Sequence, residues 1–374
     1  MTGAAARFSS PLWRDRAMAA AAIAEMEKLA AAAAAKTGGR VNFMEVCGTH
    51  TMAIAASGMR RLFPKELKML SGPGCPVCVT SQGDIDRVLA LAAVPGVIIT
   101  TFGDMLKVKG SKGLDLHSMR EKGADIRVVY SPLDAVALAA AEPARQVVFI
   151  GVGFETTAPV IAGAVARAKK AGLKNFSSTA FFKLVPPALE LLLSDPENKI
   201  HGFMLPGHVS AIIGLAPYKF VAEKYRVPCV VAGFEPLDIL AAVNMLLKQL
   251  LSGKPAVEDE YFRAVRAGGN PAAQALIAEV FSVCPAAWRA IGTVKDTGLE
   301  FSRAYADYDA VRRFKIPYSD APEPKGCLCG QILLGKALPP DCRLFGKACT
   351  PSCAVGPCMV SSEGACAAWF KYGG

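Results

Sequence analysis

The stretch QVVFIGVGFETTAPVIAGAVARAKKA, residues 146–171, carries the plan of the whole chain in miniature. A short apolar run (146–152) is followed by a glycine, a phenylalanine and an acid, and then by a helix-like stretch over 158–171. Continuous hydrophobicity over so few positions predicts a strand buried on both faces. Similar runs recur at 41–46, 96–102, 125–130, 178–185, 201–205 and 228–234. Helix-like stretches fall between them at 82–93, 133–141, 187–194, 209–224 and 236–251. Such alternation predicts an α/β fold, parallel sheets covered by helices.

Roughly three of these strands precede residue 135 and four follow residue 145. The reading is therefore an N-terminal helix within 1–40, one α/β domain over 41–142 and a second over 143–285, joined near 139–146. Beyond 284 the pattern changes, and from Pro317 onward Pro, Gly and Cys become dense. The last segment, 286–374, reads as a small loop-rich module that buries little core and needs a cross-link or a metal to hold it.

Three turns share one design: TFGDM (101–105), VGFETTAP (152–159) and AGFEPLD (232–238) each close a strand with Gly, Phe and an acid before a helix. Helix capping by the acid accounts for any one of them. Their recurrence favours a shared functional edge, because ligands of parallel α/β folds bind at the carboxyl ends of the strands.

The chain has 374 residues, 52% hydrophobic and 20% charged, an ordinary globular composition. The alanine-rich stretch 17–36 is interrupted by Glu25, Glu27 and Lys28, so it reads as a surface or docking helix and no membrane span is expected. Arg7, Arg14, Asp15 and Arg16 are followed by no strongly apolar run, which argues against a signal peptide and for the cytoplasm. The net charge of +10 comes from scattered basic residues without interleaved aromatics, so a nucleic-acid partner is not expected.

Twelve cysteines exceed what packing uses, and in a reducing compartment they point to metal ligands or redox thiols. Cys47, in VCGTHT (46–51), follows a strand, where backbone N–H groups and a helix N-terminus favour thiolate. His50, three residues on, is placed to orient a proton or to sit beside a bound ion. The alternative for Cys47 is a small buried hydrophobe. GPGCPVC (72–78) holds Cys75 and Cys78 in a C-x-x-C, the spacing of dithiol couples and of half a zinc site. With no second C-x-x-C in the chain, redox or transient metal binding is favoured over zinc. Seven more cysteines crowd the tail: Cys327, Cys329, Cys342, Cys349, Cys353, Cys358 and Cys366. They outnumber one four-ligand site, which suits an iron–sulfur cluster or zinc with a surplus pair beside it. The spacing of Cys349, Cys353 and Cys358 does not match the C-x3-C-x2-C loop of radical S-adenosylmethionine enzymes.

Together MEVCGTHT, GPGCPVCVT, TFGDM, GFETTAP, LPGHVS and the tail CLCG…CRLFGKACTP…GPCMVSSEGAC closely resemble the HypD family of hydrogenase expression/formation proteins, from about residue 11 to the C-terminus. The resemblance implies two α/β domains facing a cleft and a C-terminal module with a [4Fe-4S] cluster. It implies a redox-active maturation scaffold for [NiFe]-hydrogenases, on which iron receives two cyanides and a carbon monoxide as Fe(CN)2CO before passing to the hydrogenase large subunit. The small chaperone HypC and the cyanide-supplying HypE are the implied partners. Carried over by motif, Cys47 would hold the iron jointly with a chaperone cysteine, with His50 beside it. Cys75 and Cys78 would be a redox pair, and Glu155, Thr156 and His208 would line the cleft or meet the partner. The tail resembles the cluster of ferredoxin:thioredoxin reductase, implying Cys327, Cys342, Cys349 and Cys366 as ligands and Cys329 with Cys358 as the neighbouring pair. Cys353 departs from the family pattern, which has no cysteine there. The competing reading is a free-standing iron–sulfur disulfide reductase.

Overall fold

The structure is a computed structural model that describes residues 15–373. Arg7, Arg14 and the first fourteen residues of the segment 1–40 lie outside the described residues. Thirteen strands, β1 to β13 in chain order, occur among the described residues. The chain forms two compact units: one gathers residues up to 74, 189–269 and 371 onward, the other 75–188 and 270–370.

The first unit is built on a five-stranded parallel sheet in the order β11-β10-β9-β1-β2. Its strands are β1 (Val41–Glu45), β2 (Leu67–Ser71), β9 (Gly202–Pro206), β10 (Cys229–Ala232) and β11 (Val257–Asp259). Helix Arg16–Thr37 packs against helix Pro236–Ser252, burying Met26, Ala30 and Ala33 with Val243, Leu246 and Leu247. Alanine allows that close approach, so the stretch is a docking helix, as expected. Asp15 caps its N-terminus through the Ala17 and Met18 amides. At the other end Lys36 Nζ donates to the carbonyls of Leu250 (3.2 Å) and Leu251 (2.7 Å), late carbonyls of the partner helix that would otherwise lack donors.

The second unit holds a four-stranded parallel sheet in the order β4-β3-β5-β7: β3 (Val97–Thr101), β4 (Asp125–Val128), β5 (Gln146–Phe149) and β7 (Phe176–Ser178). Two short strands, β6 (Val152–Gly153) and β8 (Phe181–Phe182), pair beyond it, and β12 (Phe281–Trp288) and β13 (Gly292–Phe301) form an antiparallel hairpin. Phe149, Ile161, Val165, Phe176, Phe182, Phe281 and Phe301 make up much of its core. Asn175 is buried because its amide donates to the carbonyls of Ala139, Glu142 and Arg145, at 2.8, 3.1 and 2.9 Å.

The α/β class is present and each expected run holds strand residues, but 146–152 is broken into β5 and β6, and 178–185 holds only the end of β7 and the two-residue β8. The expected helix over 209–224 is instead two, Gly207–Ile213 and Lys219–Glu223. Gly214 separates them with φ 75°, and a Cβ there would come within 2.4 Å of the Ala267 carbonyl. The compact units also differ from the chain-order division at 142/143. β1 pairs with both β2 and β9, so strands from the two ends of the expected division share one sheet. No residue run announces which distant strand will be a neighbour.

Candidate functional site

In the first unit β1 leads to β2 on one side of the sheet, while β9, β10 and β11 run outward on the other. The switch in direction lies between β1 and β9, and in open parallel sheets ligands bind outside the carboxyl ends at that point. The residues emerging there are Cys47, just past β1, and His208, just past β9.

Cys47 is half-buried and is the N-cap of helix Gly48–Ala56, with extended backbone (φ −150°, ψ 123°). Its thiol therefore sits at the positive end of a nine-residue helix. Glycines hold the approach: Gly72 N–H donates to Glu45 O (2.7 Å), and Gly48 N–H donates to Gly74 O (2.9 Å). A Cβ on Gly74 would stand 2.2 Å from the Cys47 nitrogen. Beneath the cysteine, fully buried Glu45 accepts from the Cys47 amide (3.3 Å) and from the Thr51 hydroxyl (2.6 Å). Burial pushes its carboxyl up to about 7, against the opposing pull of Thr51, Ser71 and Arg60.

His50 is fully buried and donates from Nε2 to the Gly233 carbonyl (2.9 Å). Burial drives its imidazole down to about 4, against opposing carbonyl contacts from Gly233 and Ala232, so the ring is neutral at pH 7. It stacks on Phe234, and His208 stacks on the same phenylalanine, with centroids 4.6 and 4.1 Å apart. His208 is exposed, and partial burial lowers its pKa. The two histidines thus flank an aromatic plate just past β10, on the sheet that carries Cys47 just past β1.

In the second unit Cys75 and Cys78 form a disulfide across the turn Pro76–Val79, with both residues buried. That turn packs against β6 and against the short helix Pro357–Val360, which carries Cys358. Six tail cysteines gather nearby in the fold. Cys358 Sγ lies 3.2 Å from Cys366 Sγ, and Cys329 is hydrogen-bonded with Cys358. A Cβ on Gly356 would come within 2.7 Å of Cys327 Sγ and 3.9 Å of Cys358 Sγ. Burial, and then the charges of Cys329, Cys342 and Cys349, push the Cys327 thiol up to about 12. The Val355 amide points at Cys349 Sγ (3.3 Å), while the Cys342 thiol faces the Gly326 carbonyl (3.7 Å). Cys353 is exposed and outside this group.

The family model described as "HypD: Hydrogenase formation hypA family" matches residues 19–373. The chain belongs to the HypD family. It is 44% identical over 373 residues to "Hydrogenase maturation factor HypD" of Rhodobacter capsulatus, covering 98% of each chain. It is 45% identical over 348 residues to the protein of that name from Cupriavidus necator, covering 91% of this chain and 92% of the relative. The Escherichia coli protein of that name is 44% identical over 334 residues, 89% of each.

Of the residues that the HypD resemblance singles out, the first unit brings together Cys47, His50 and His208. The second holds Cys75, Cys78, Glu155, Thr156 and the tail cysteines. The three Gly-Phe-acid turns are divided too: TFGDM closes β3 at the direction switch of the second unit's sheet, GFETTAP closes the short strand β6 beyond β5, and AGFEPLD closes β10 of the first unit. Their acids have different roles. Glu235 begins helix Pro236–Ser252 in a capping box with Asp238. Glu155 is buried, accepts from the Val185 amide through Oε1 (2.8 Å), and has no hydrogen-bond partner for Oε2. Half-buried Thr156 follows it. Sequence reasoning passed over Glu45, Phe234 and Arg289. A charged residue ending an apolar strand is the signal that would have found Glu45.

A cluster's donor set can be tested on the tail. Among the described residues, no three His, Cys, Asp or Glu side chains stand ready to hold a single metal ion. A cluster spreads its thiolates over several irons, so its ligands need not converge on one point. A Cys327 thiol that burial keeps protonated, a glycine that leaves room beside it and a backbone amide that meets Cys349 Sγ suit a group whose positive irons compensate thiolate charge. The donors fit.

Proposed function

We propose that this chain is a maturation factor for [NiFe]-hydrogenases, a cytoplasmic scaffold on which Fe(CN)2CO is assembled with HypC and HypE before delivery to the large subunit. The observation carrying this reading is Cys47: a thiol at a helix N-terminus, at the direction switch of a parallel sheet whose same edge carries a buried carboxyl and two histidines stacked on one aromatic plate. Such a thiol suits a low-spin ferrous substrate, for which soft sulfur is an apt ligand. Glu45 fixes the loop through the Cys47 amide, and neutral His50 pins the turn before Phe234. His208, at the surface of the same edge, is placed to meet an incoming partner.

Cys327, Cys342, Cys349 and Cys366 would hold a [4Fe-4S] cluster, which when bound supplies one-electron chemistry. Cys329 and Cys358 would be the exchanging pair beside it, and Cys75 with Cys78 a second dithiol able to give or take two electrons. The reductase reading draws on one observation, the Cys75–Cys78 disulfide packed on the helix that carries Cys358. Infrared spectroscopy of the chain purified anaerobically with its small chaperone decides between the two. Cyanide and carbonyl stretching bands that disappear in Cys47→Ala support the scaffold, and their absence from the native complex refutes it.

A further inference from the structure

Arg289 is 1% exposed, among the most deeply buried charged side chains of the described residues. It sits just past β12, at the tip of the hairpin, and its contacts reach towards both groups of sulfurs in the second unit. Its backbone N–H donates to Val79 O (2.9 Å), and its Nε donates to Thr80 O (2.9 Å). These are the carbonyls directly after Cys78. Nη1 donates to Gln82 Oε1 (2.9 Å) and to Glu323 Oε2 (2.6 Å), while Nη2 is buried with no hydrogen-bond partner. The next residue, Ala290, has φ 57° and presses on the first turn of helix Cys329–Leu333, where a Cβ on Gly330 would lie 2.1 Å from Ala290 Cβ. Cys329 opens that helix immediately before Gly330, so Arg289 and Cys329 each stand one residue from this contact.

An incompletely bonded guanidinium is costly to bury unless charge nearby answers it. Glu323 answers it only from a side chain that is 30% exposed. Thiol–disulfide exchange passes negative charge between sulfurs, and in a buried site such charge needs a cation. We infer that Arg289 is a positioning residue for exchange between Cys75–Cys78 and the pair Cys329/Cys358, anchoring the first and compensating the charge that passes between them. This role rests on the dithiol relay proposed above. In the exchange a thiolate of the tail pair attacks the disulfide, the Cys75–Cys78 bond breaks and a mixed disulfide forms. The second tail sulfur then displaces the first product, leaving Cys75 and Cys78 as thiols and the tail pair joined. Two electrons move with the bonds, and the protons lost by the attacking thiols end on the released sulfurs, so no outside oxidant takes part.

The test follows reduction of Cys75–Cys78 in the full-length chain. The anaerobic protein is treated with dithiothreitol, quenched with N-ethylmaleimide under denaturing conditions, and its labelled cysteines are quantified by peptide mass spectrometry. Arg289→Met slows labelling of Cys75 and Cys78 by about tenfold or more, Arg289→Lys recovers most of the rate, and Glu323→Gln, which removes the answering charge, accelerates it. A merely structural role gives no such opposition of sign. Should Arg289→Met fail to fold, the lysine and Glu323 variants decide alone. Labelling at the native rate in Arg289→Met, or a lysine variant as slow as the methionine one, overturns the assignment. Cys329→Ser separates the two levels: if it leaves Cys75 and Cys78 labelling unchanged, the relay itself fails, whereas a block there with no response to Arg289 refutes only the arginine's role.

Discussion

Glu155→Gln is a direct test of the electrostatics derived for the second unit. Glu155 is 4% exposed, its Oε1 accepts from the Val185 amide (2.8 Å), and its Oε2 is buried without a hydrogen-bond partner. Burial raises its carboxyl from an ordinary 4.5 to about 7, with backbone hydrogen bonds opposing. A raised acid pKa means that the folded state prefers the protonated form. Its contribution is fully present below pH 4.5 and is lost as pH rises through about 7. The gap between 4.5 and about 7, at about 1.4 kcal/mol per pH unit, sets the whole loss at about 3 kcal/mol. Glutamine keeps the acceptor for Val185 and cannot ionise, although its buried N–H2 costs about 1–3 kcal/mol at every pH. Urea unfolding of both proteins, followed by circular dichroism from pH 4.5 to pH 8, should show the variant less stable in acid and gaining on the native chain by about 3 kcal/mol across that window. A stability difference that stays constant with pH would refute the reasoning, since it would mean Glu155 ionises as freely folded as unfolded.

Cys47→Ala should abolish retention of iron and its diatomic ligands, measured by metal analysis and infrared spectroscopy, while tail absorbance stays; loss of that absorbance would show the two sites misassigned. If the tail holds the proposed cluster, Cys349→Ala should remove its broad visible absorption and lower the melting temperature, because a loop-rich module without a cross-linking group buries little core. Full cluster iron in that variant would refute the ligand set. Gly74→Ala forces a Cβ to within 2.2 Å of the Cys47 nitrogen, so a backbone shift costing about 1–3 kcal/mol is expected, with iron binding lost more completely than fold. Native iron affinity there would show that the Gly74 approach does not set the position of Cys47.

The local layers of this protein were legible in its residues alone. Apolar runs such as 96–102 and 228–234 became strands because a sheet buried on both faces accommodates them, and the interrupted alanine stretch became a docking helix. Family membership was legible too, since motifs such as CGTHT and GPGCPVC keep their residues in order along the chain. What the sequence left undecided were relations between distant positions. β2 and the hairpin β12/β13 are weakly patterned, with Lys68 in one and exposed Val283 in the other, and they exist through the partners they pair with. Only the tertiary structure joined β1 to β9, bringing Cys47 and His208 to one direction switch while placing Glu155 in the other unit. Only burial turned Glu45 and Glu155 into acids that titrate near neutrality, and set a charged Arg289 against the residues following Cys78. The reason is physical: strand formation depends on neighbours a few residues away, whereas desolvation and charge compensation depend on what the fold packs around each group.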